Sequence, residues 1–198
     1  HLAAAWCAAL AIRGAEATAA PDAVSTPRAA AEDLVIVDRP IRFDAERRAL
    51  SLEYLRRHYG LTPREPTILA RAIVIHWTGG GTSLEATWRH FDVVRANTTR
   101  RHLLRGGALN VSAHFLVGRD GAIVRLLPET TMARHCIGLD YDSIGVENVG
   151  GELHPLTEAQ LRANAALVRH LARRFPIRFL LGHHEWRRFQ NSPLFRER

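Results

Sequence analysis

The sequence feature that most constrains the fold is an apolar run that ends in a histidine and is followed by three glycines. Residues 72–75 (AIVI) are apolar and largely β-branched, which predicts a buried strand. His76 stands where this strand ends, and the glycine run starts at Gly79. Glycine tolerates positive φ angles, so such a loop allows another group to approach the backbone closely. A histidine facing this loop suits metal binding or acid–base chemistry, although a structural role is commoner for a lone histidine.

Two further segments favour the functional interpretation. Residues 177–181 predict a strand that leads into Gly182 and His183, so two strands end in a histidine. Glu147 lies in the apolar run 144–148 (IGVEN), where burial raises the pKa of a carboxyl group, as a general base near neutral pH requires. Two imidazoles and a carboxylate at a zinc ion form a recurrent hydrolytic site. The spacing alone leaves a zinc hydrolase as one hypothesis beside structural roles for each residue.

The other elements predicted along the chain include helices and a hairpin. Residues 42–59 have helical spacing and are followed by Gly60, a suitable helix end. Capping boxes at 82–85 (TSLE) and 157–160 (TEAQ) each predict the start of another helix. Pro176 ends the last of these helices.

A hairpin is predicted where Asp120-Gly121 separates two apolar segments, 111–118 and 122–127. Alternation in the first segment predicts that its side chains divide between two faces, with Val111, Ala113, Phe115 and Val117 on one and Ser112, His114 and Leu116 on the other. The order of helices and strands predicts an α/β (mixed α+β) fold with a central mixed β-sheet flanked by helices.

The charge pattern argues against a nucleic-acid-binding protein. The net charge is +7, and all 27 basic residues are arginine, which favours contact with some polyanion. The arginines are scattered in pairs such as Arg47-Arg48 and form no basic run interleaved with aromatic residues. The chain has only two cysteines, Cys7 and Cys136, which excludes a disulfide scaffold and a cysteine-based zinc finger.

The chain is predicted to divide into a leader, a linker and one folded domain. Residues 1–20 resemble a partial signal peptide, with an apolar stretch and an A-x-A cleavage pattern at Ala17–Ala19, although a disordered alanine-rich leader is the alternative. We therefore expect an exported protein of the periplasm or cell envelope, or a secreted one. Residues 21–39 are assigned to a linker and residues 40–198 to the domain. A lipid anchor at Cys7 is disfavoured because Trp6 occupies a position that normally requires a small residue.

A series of short motifs occurs in order within residues 40–197: IVIHWT (73–78), VSAHFLV (111–117), RDG (119–121), RHCIG (134–138), IGVENVG (144–150), LTEAQ (156–160) and LGH (181–183). This ordered series resembles the zinc-dependent N-acetylmuramoyl-L-alanine amidases. That superfamily also includes the peptidoglycan recognition proteins and the bacteriophage T7 lysozyme type. The resemblance implies a peptidoglycan recognition protein-like fold with a zinc site at one edge of the sheet, in a groove that receives a glycan-linked peptide.

The resemblance also assigns roles to individual residues. His76 and His183 match the first and second Zn²⁺ ligands, and Glu147 matches the acid that acts on the attacking water. The family's third ligand is an Asp or Cys in an Asp-Pro-Gly-like segment beyond the second histidine, which is not found up to Arg198. We expect a domain truncated at its C-terminus, with this ligand beyond residue 198; a degenerate site is the alternative. His184 and Glu185 are expected to be poor substitutes. Candidate substrate-binding residues are Trp77, Thr78, His114 and Asn148.

The function implied is hydrolysis of the amide bond between N-acetylmuramic acid and L-alanine in peptidoglycan or muropeptides, with Zn²⁺ as cofactor. The expected partner is peptidoglycan or a muropeptide, with no nucleic acid, and with a membrane only if the chain is lipid-anchored. The helix that starts near Ser83 and the arginine-containing loop 97–110 are expected to line the groove. The alternative is a non-catalytic peptidoglycan-binding module with a degenerate metal site.

Overall fold

A computed structural model describes residues 34–97 and 101–198 of the chain. The described residues form six strands, β1 (Ile36–Asp38), β2 (Ala72–Trp77), β3 (Phe115–Val117), β4 (Ile123–Arg125), β5 (Ser143–Asn148) and β6 (Phe179–Gly182). They also form four α-helices, α1 (Ala45–Tyr54), α2 (Leu84–Asp92), α3 (Arg101–Arg105) and α4 (Glu158–Arg174). A π-helical turn, Leu55–Tyr59, continues α1, and a 3₁₀ helix, His183–Phe189, follows β6. The mixed α/β architecture is confirmed.

The strands form one mixed sheet in the order β1-β4-β3-β5-β2-β6. β3 and β4 pair antiparallel, as the predicted hairpin requires, and the other neighbouring pairs in the described sheet are parallel. β2 lies between β5 and β6, so the strands that carry His76 and Glu147 are neighbours. The parallel pairing brings the carboxyl ends of β2, β5 and β6 to the same edge of the sheet.

α4 covers one face of the sheet. It starts at the predicted capping box, in which the Thr157 side chain accepts from the Gln160 backbone N–H and the Gln160 side chain accepts from the Thr157 N–H. Leu167 and Leu171 of α4 are buried against side chains of β2, β3 and β5, including Ile73, Phe115, Val117, Ile144 and Val146. The alternate residues of β2 and β5 therefore point to the opposite face, where the site lies.

Two apolar clusters fill that opposite face. Phe91 of α2 packs with Leu116 of β3 and Val124 of β4. Val74 of β2 packs with Leu181 of β6 and with Cys136 and Leu139 from the connection that precedes β5. A further cluster, which includes Tyr54, Tyr59, Ile68, Leu109 and Met132, holds α1 and its π-helical turn against the neighbouring loops. The site is thus bordered by α2 and by the connection before β5.

The structure corrects three local predictions. Ser83, not Thr82, caps α2, because its side chain accepts from the Ala86 N–H, while Glu85 forms an ion pair with Arg39. Residues 111–114 lie outside β3, so the predicted alternation fails there, and Ala113 packs with the same cluster as Leu116. Residues 36–38, inside the range predicted as a linker, form β1 and pair with β4.

The predicted signal peptide, residues 1–20, and the first part of the predicted linker, residues 21–33, lie outside the described residues. Within the described residues, no helix has both the length and the apolar character needed to cross a bilayer.

Candidate active site

His76 and Glu147 lie side by side at the carboxyl end of the sheet. The two residues are register partners in the parallel pair of β2 and β5, and their side chains point to the face opposite α4. Both are largely buried, with 7% of His76 and 9% of Glu147 exposed. The alternation of side chains along each strand explains why both residues lie on this face, and the pairing of β2 with β5 makes them neighbours.

His183 joins His76 from the third strand of the same edge. It is the first residue of the 3₁₀ helix after β6, and its Nδ1 lies 2.8 Å from Nδ1 of His76. The pKa of His76 is lowered well below its usual value, first by burial and then by His135 and His183. Burial also lowers the pKa of His183. Both imidazoles are therefore neutral at neutral pH, the form in which histidine binds a metal.

His135 is a third histidine of the site, which the sequence analysis did not assign. It lies in the connection between β4 and β5, and its Nδ1 is 3.1 Å from Nε2 of His76. Its ring lies against Gly145 of β5, so closely that a Cβ atom on Gly145 would come within 2.7 Å of it. The sequence signals that could have been used to find this contact are the glycine in the β5 run and the histidine of the RHCIG motif.

Glu147 has the properties of a buried base. Burial raises the pKa of its carboxyl group to about 8. The side chain lines a groove of about 940 Å³ together with His76, His135 and His183. A carboxyl group with a pKa near neutral, exposed to a groove beside neutral imidazoles, can exchange a proton with a substrate or water there.

The walls of the groove come from α2, the glycine loop and the segment after α3. The residues that line it are Gly79, Gly80 and Gly81 of the loop, Ser83, Ala86, Thr87, His90 and Phe91 around α2, and Val111, Ser112, Arg134, Leu156 and His184. Gly79 and Gly81 have φ angles of 81° and 73°, which explains the glycines of this loop. Trp77 and Thr78, predicted to bind substrate, are also among the residues that line the groove. Trp77 is half exposed.

Two predicted substrate-binding residues are corrected. His114 is fully buried, where its Nδ1 accepts from the Gly145 N–H and its Nε2 donates to the Thr131 carbonyl. Asn148 is also fully buried, and it points toward α4, where it donates to the His76 carbonyl and accepts from Asn164. Neither lines the groove, because strand alternation turns Asn148 to the α4 face and the connection before β5 covers His114.

The predicted groove loop 97–110 is corrected as well. None of its described residues lines the groove. Arg134 lines the groove and separates it from this loop, because its guanidinium donates to the loop carbonyls of Leu103, Gly107 and Leu109. α2, by contrast, does line the groove as expected.

The two histidines that face each other fit a zinc ion. Zn²⁺ binds histidine nitrogen at about 2.0–2.1 Å, and tetrahedral geometry separates two such nitrogens by about 3.3 Å. The 2.8 Å between the Nδ1 atoms of His76 and His183 needs only a small widening to accept the ion. Among the described residues, no group of three His, Cys, Asp or Glu side chains is arranged to hold a metal. Glu185 is unsuited as a third ligand because its Oε2 accepts from the Gly182 N–H.

The chain is similar to known proteins in sequence and in fold. Residues 63–193, more than half of the chain, match the sequence profile of the family Amidase_2, N-acetylmuramoyl-L-alanine amidase. No curated protein matches the sequence.

Solved structures show the same fold. The N-acetylmuramoyl-L-alanine amidase LysC from Clostridium intestinale URNW superposes with a TM-score of 0.53 at 22% identity, covering 79% of this chain and 87% of its own. Bumblebee PGRP-SA superposes with a TM-score of 0.50 at 16% identity, covering 80% of this chain and 95% of its own.

Proposed function

Because the chain belongs to the N-acetylmuramoyl-L-alanine amidase family, we propose that it hydrolyses the amide bond between N-acetylmuramic acid and L-alanine in peptidoglycan or muropeptides, with Zn²⁺ as cofactor. The observation that carries this proposal is the joint placement of His76, His183 and Glu147 on one groove at the carboxyl edge of the sheet. The groove is wide enough for part of a glycan-linked peptide, since ligand pockets commonly measure about 300–1,000 Å³.

His76 and His183 would hold the ion through their Nδ1 atoms. When bound, Zn²⁺ supplies a Lewis acid that polarises the scissile carbonyl and lowers the pKa of a water molecule. Glu147 accepts a proton from the attacking water as its oxygen bonds to the carbonyl carbon. Glu147 then gives that proton to the alanine nitrogen as the C–N bond breaks, which leaves a carboxylic acid and a free amine. Burial raises the pKa of Glu147 to about 8 in the metal-free protein, and a bound cation would favour its carboxylate form. Near neutral pH the group would then be suited both to accept the proton and to return it.

A test of this proposal compares two buried glutamates. Glu147→Gln should lower the release of peptide from purified peptidoglycan by about 10²–10⁴-fold, the usual contribution of a general base, and should leave zinc bound. Glu129→Gln is the matched control, because Glu129 is equally buried but lies outside the groove. Near-normal activity of Glu147→Gln would assign the proton transfer to another group.

A second function, binding of peptidoglycan without catalysis, is favoured by one observation. The described residues provide two facing histidine ligands and no group of three potential ligands. Catalytic zinc sites commonly use three protein ligands. If the wild-type protein binds peptidoglycan but releases no peptide when zinc is added, the binding module is the better description.

The proposed place of action is the periplasm or cell envelope, or the medium. This proposal is supported by the A-x-A pattern at Ala17–Ala19 and by the extracytoplasmic position of peptidoglycan. Cell fractionation of the expressed chain tests it: retention of the protein in the cytoplasm would contradict it.

A further inference from the structure

We propose that His135 is a positioning residue that selects the tautomer of His76 and so presents the Nδ1 lone pair of His76 to the metal. This inference rests on the zinc binding proposed above and extends it to a residue that is not itself a ligand. It follows from a chain of hydrogen bonds that starts at a backbone carbonyl, whose role as an acceptor is fixed.

The first link assigns the proton on His135. Nε2 of His135 lies 3.3 Å from the carbonyl oxygen of Ser143 and 3.4 Å from its Oγ. The Ser143 hydroxyl donates its proton to the Leu139 carbonyl at 2.7 Å, so Oγ also presents a lone pair to His135. Both neighbours are therefore acceptors, and Nε2 of His135 must carry the proton. In a neutral imidazole the other nitrogen, Nδ1, is then an acceptor.

The second link transfers this assignment to His76. Nδ1 of His135 is 3.1 Å from Nε2 of His76, and two lone pairs cannot face each other at this distance. His76 must therefore carry its proton on Nε2. Its Nδ1 is left as a lone pair, which is the atom that faces His183 at 2.8 Å. Partners of this kind, on the far nitrogen of a ligating histidine, orient the ring and strengthen the ligand.

His135 is held firmly enough to act in this way. Its backbone N–H donates to Asp140 Oδ1 at 2.7 Å, and the other carboxylate oxygen of Asp140 accepts from Tyr54 and Tyr59. Its ring packs on Gly145, where no side chain intervenes.

The test uses two substitutions of His135 and one control. His135→Leu removes the acceptor at similar size, whereas His135→Asn keeps an amide oxygen near the position of Nδ1. His58→Leu is the control, because His58 is also buried and bonded, to Glu197 and to the Gly106 carbonyl, but does not contact His76. Zinc affinity is measured by competition with a chelator, and nitrogen NMR shifts of the metal-free protein report the tautomer of each histidine.

We expect His135→Leu to weaken zinc binding by about 10–100-fold, His135→Asn to recover most of it, and His58→Leu to leave it unchanged. In the wild-type protein, the NMR shifts should place the proton of both His76 and His135 on Nε2. Equal zinc affinity of His135→Leu and wild type, or a proton on Nδ1 of His135, would overturn the inference. If His135→Leu does not fold, His135→Asn and the wild-type shifts decide. Failure of the wild-type protein to bind zinc would instead count against the proposed function, since the tautomers are measured without metal.

Discussion

At the scale of single residues, Glu147 departs most clearly from ordinary solution behaviour. Its carboxyl group is buried, and burial alone raises its pKa from 4.5 to about 8. A buried carboxyl group without a cation at hand destabilises the folded protein when it ionises. The property that makes Glu147 a candidate base therefore has a measurable cost in stability.

The first prediction concerns the pH dependence of stability in the metal-free protein. Between its unfolded pKa of about 4.5 and its folded pKa of about 8, Glu147 holds a proton when folded that it loses when unfolded. The contribution of this residue to the free energy of unfolding therefore falls as the pH rises through that window. The side chain of Glu147→Gln cannot ionise. Between about pH 5 and about pH 8, the difference in free energy of unfolding between this variant and wild type should therefore shift in favour of the variant by about 1 kcal/mol or more.

Urea unfolding in the presence of a chelator measures both differences. The buried histidines, whose pKa values are lowered, titrate in the same way in both proteins, so the subtraction isolates Glu147. A difference between Glu147→Gln and wild type that does not change with pH would show that Glu147 ionises at its ordinary pKa.

At the scale of secondary-structure elements, β5 organises the site through the alternation of its side chains. The side chain of Glu147 and the open side of Gly145 lie on the groove face, while Ile144 and Val146 pack under α4. Gly145 also donates from its backbone N–H to His114. The strand thus supplies the base and the space for His135 within three residues.

The second prediction concerns that space. Gly145→Ala should lower the free energy of unfolding by about 1–3 kcal/mol, because the added Cβ would lie 2.7 Å from Cγ of His135 and would force its ring to move. Gly80→Ala is the control, since a Cβ there would have no heavy atom within 4 Å and its backbone needs no positive φ. Urea titration of the two variants measures the difference. Equal stability of both variants would mean that the connection before β5, which carries His135, can shift to accommodate the methyl group without lowering the free energy of unfolding.

At the scale of the whole molecule, a buried arginine of α1 forms hydrogen bonds with the C-terminal end of α2. Arg47 is 1% exposed, and its Nη2 lies 2.7–3.1 Å from the carbonyl oxygens of Phe91, Asp92 and Val93 at the end of α2. These carbonyls have no partner within the helix, so the guanidinium satisfies them. Its neighbour Arg48 is partly exposed and pairs with Glu65 at the surface.

The third prediction compares these adjacent arginines. Arg47→Ala should lower the free energy of unfolding by about 2–4 kcal/mol, because it removes the donor to the Phe91 and Asp92 carbonyls and opens a cavity between the two helices. Arg48→Ala should leave the stability nearly unchanged, since exposed ion pairs contribute little. Thermal and urea unfolding of the two variants test the contrast. A loss of stability of the same size in both would contradict the role assigned to Arg47.

The sequence by itself determined the elements whose signals are local. The apolar run before His76, the hairpin at Asp120-Gly121 and the capping box at Thr157 need only a few neighbouring residues to be recognised, and all three are present in the structure. The ordered motifs also identified the family, because a series of short matches in a fixed order is far more specific than any one of them.

Only the tertiary structure decided which residues with the same local appearance have which role. His114 and His135 both stand in motifs, yet His135 contacts His76, whereas His114 is enclosed behind Gly145. Arg47 and Arg48 differ only in the side of α1 that they occupy. These differences arise from contacts between segments far apart in the chain, such as the connection before β5 with β2, or α1 with α2. A sequence pattern predicts on which side of a helix or strand a residue lies, but only the tertiary packing determines which other segment contacts that side.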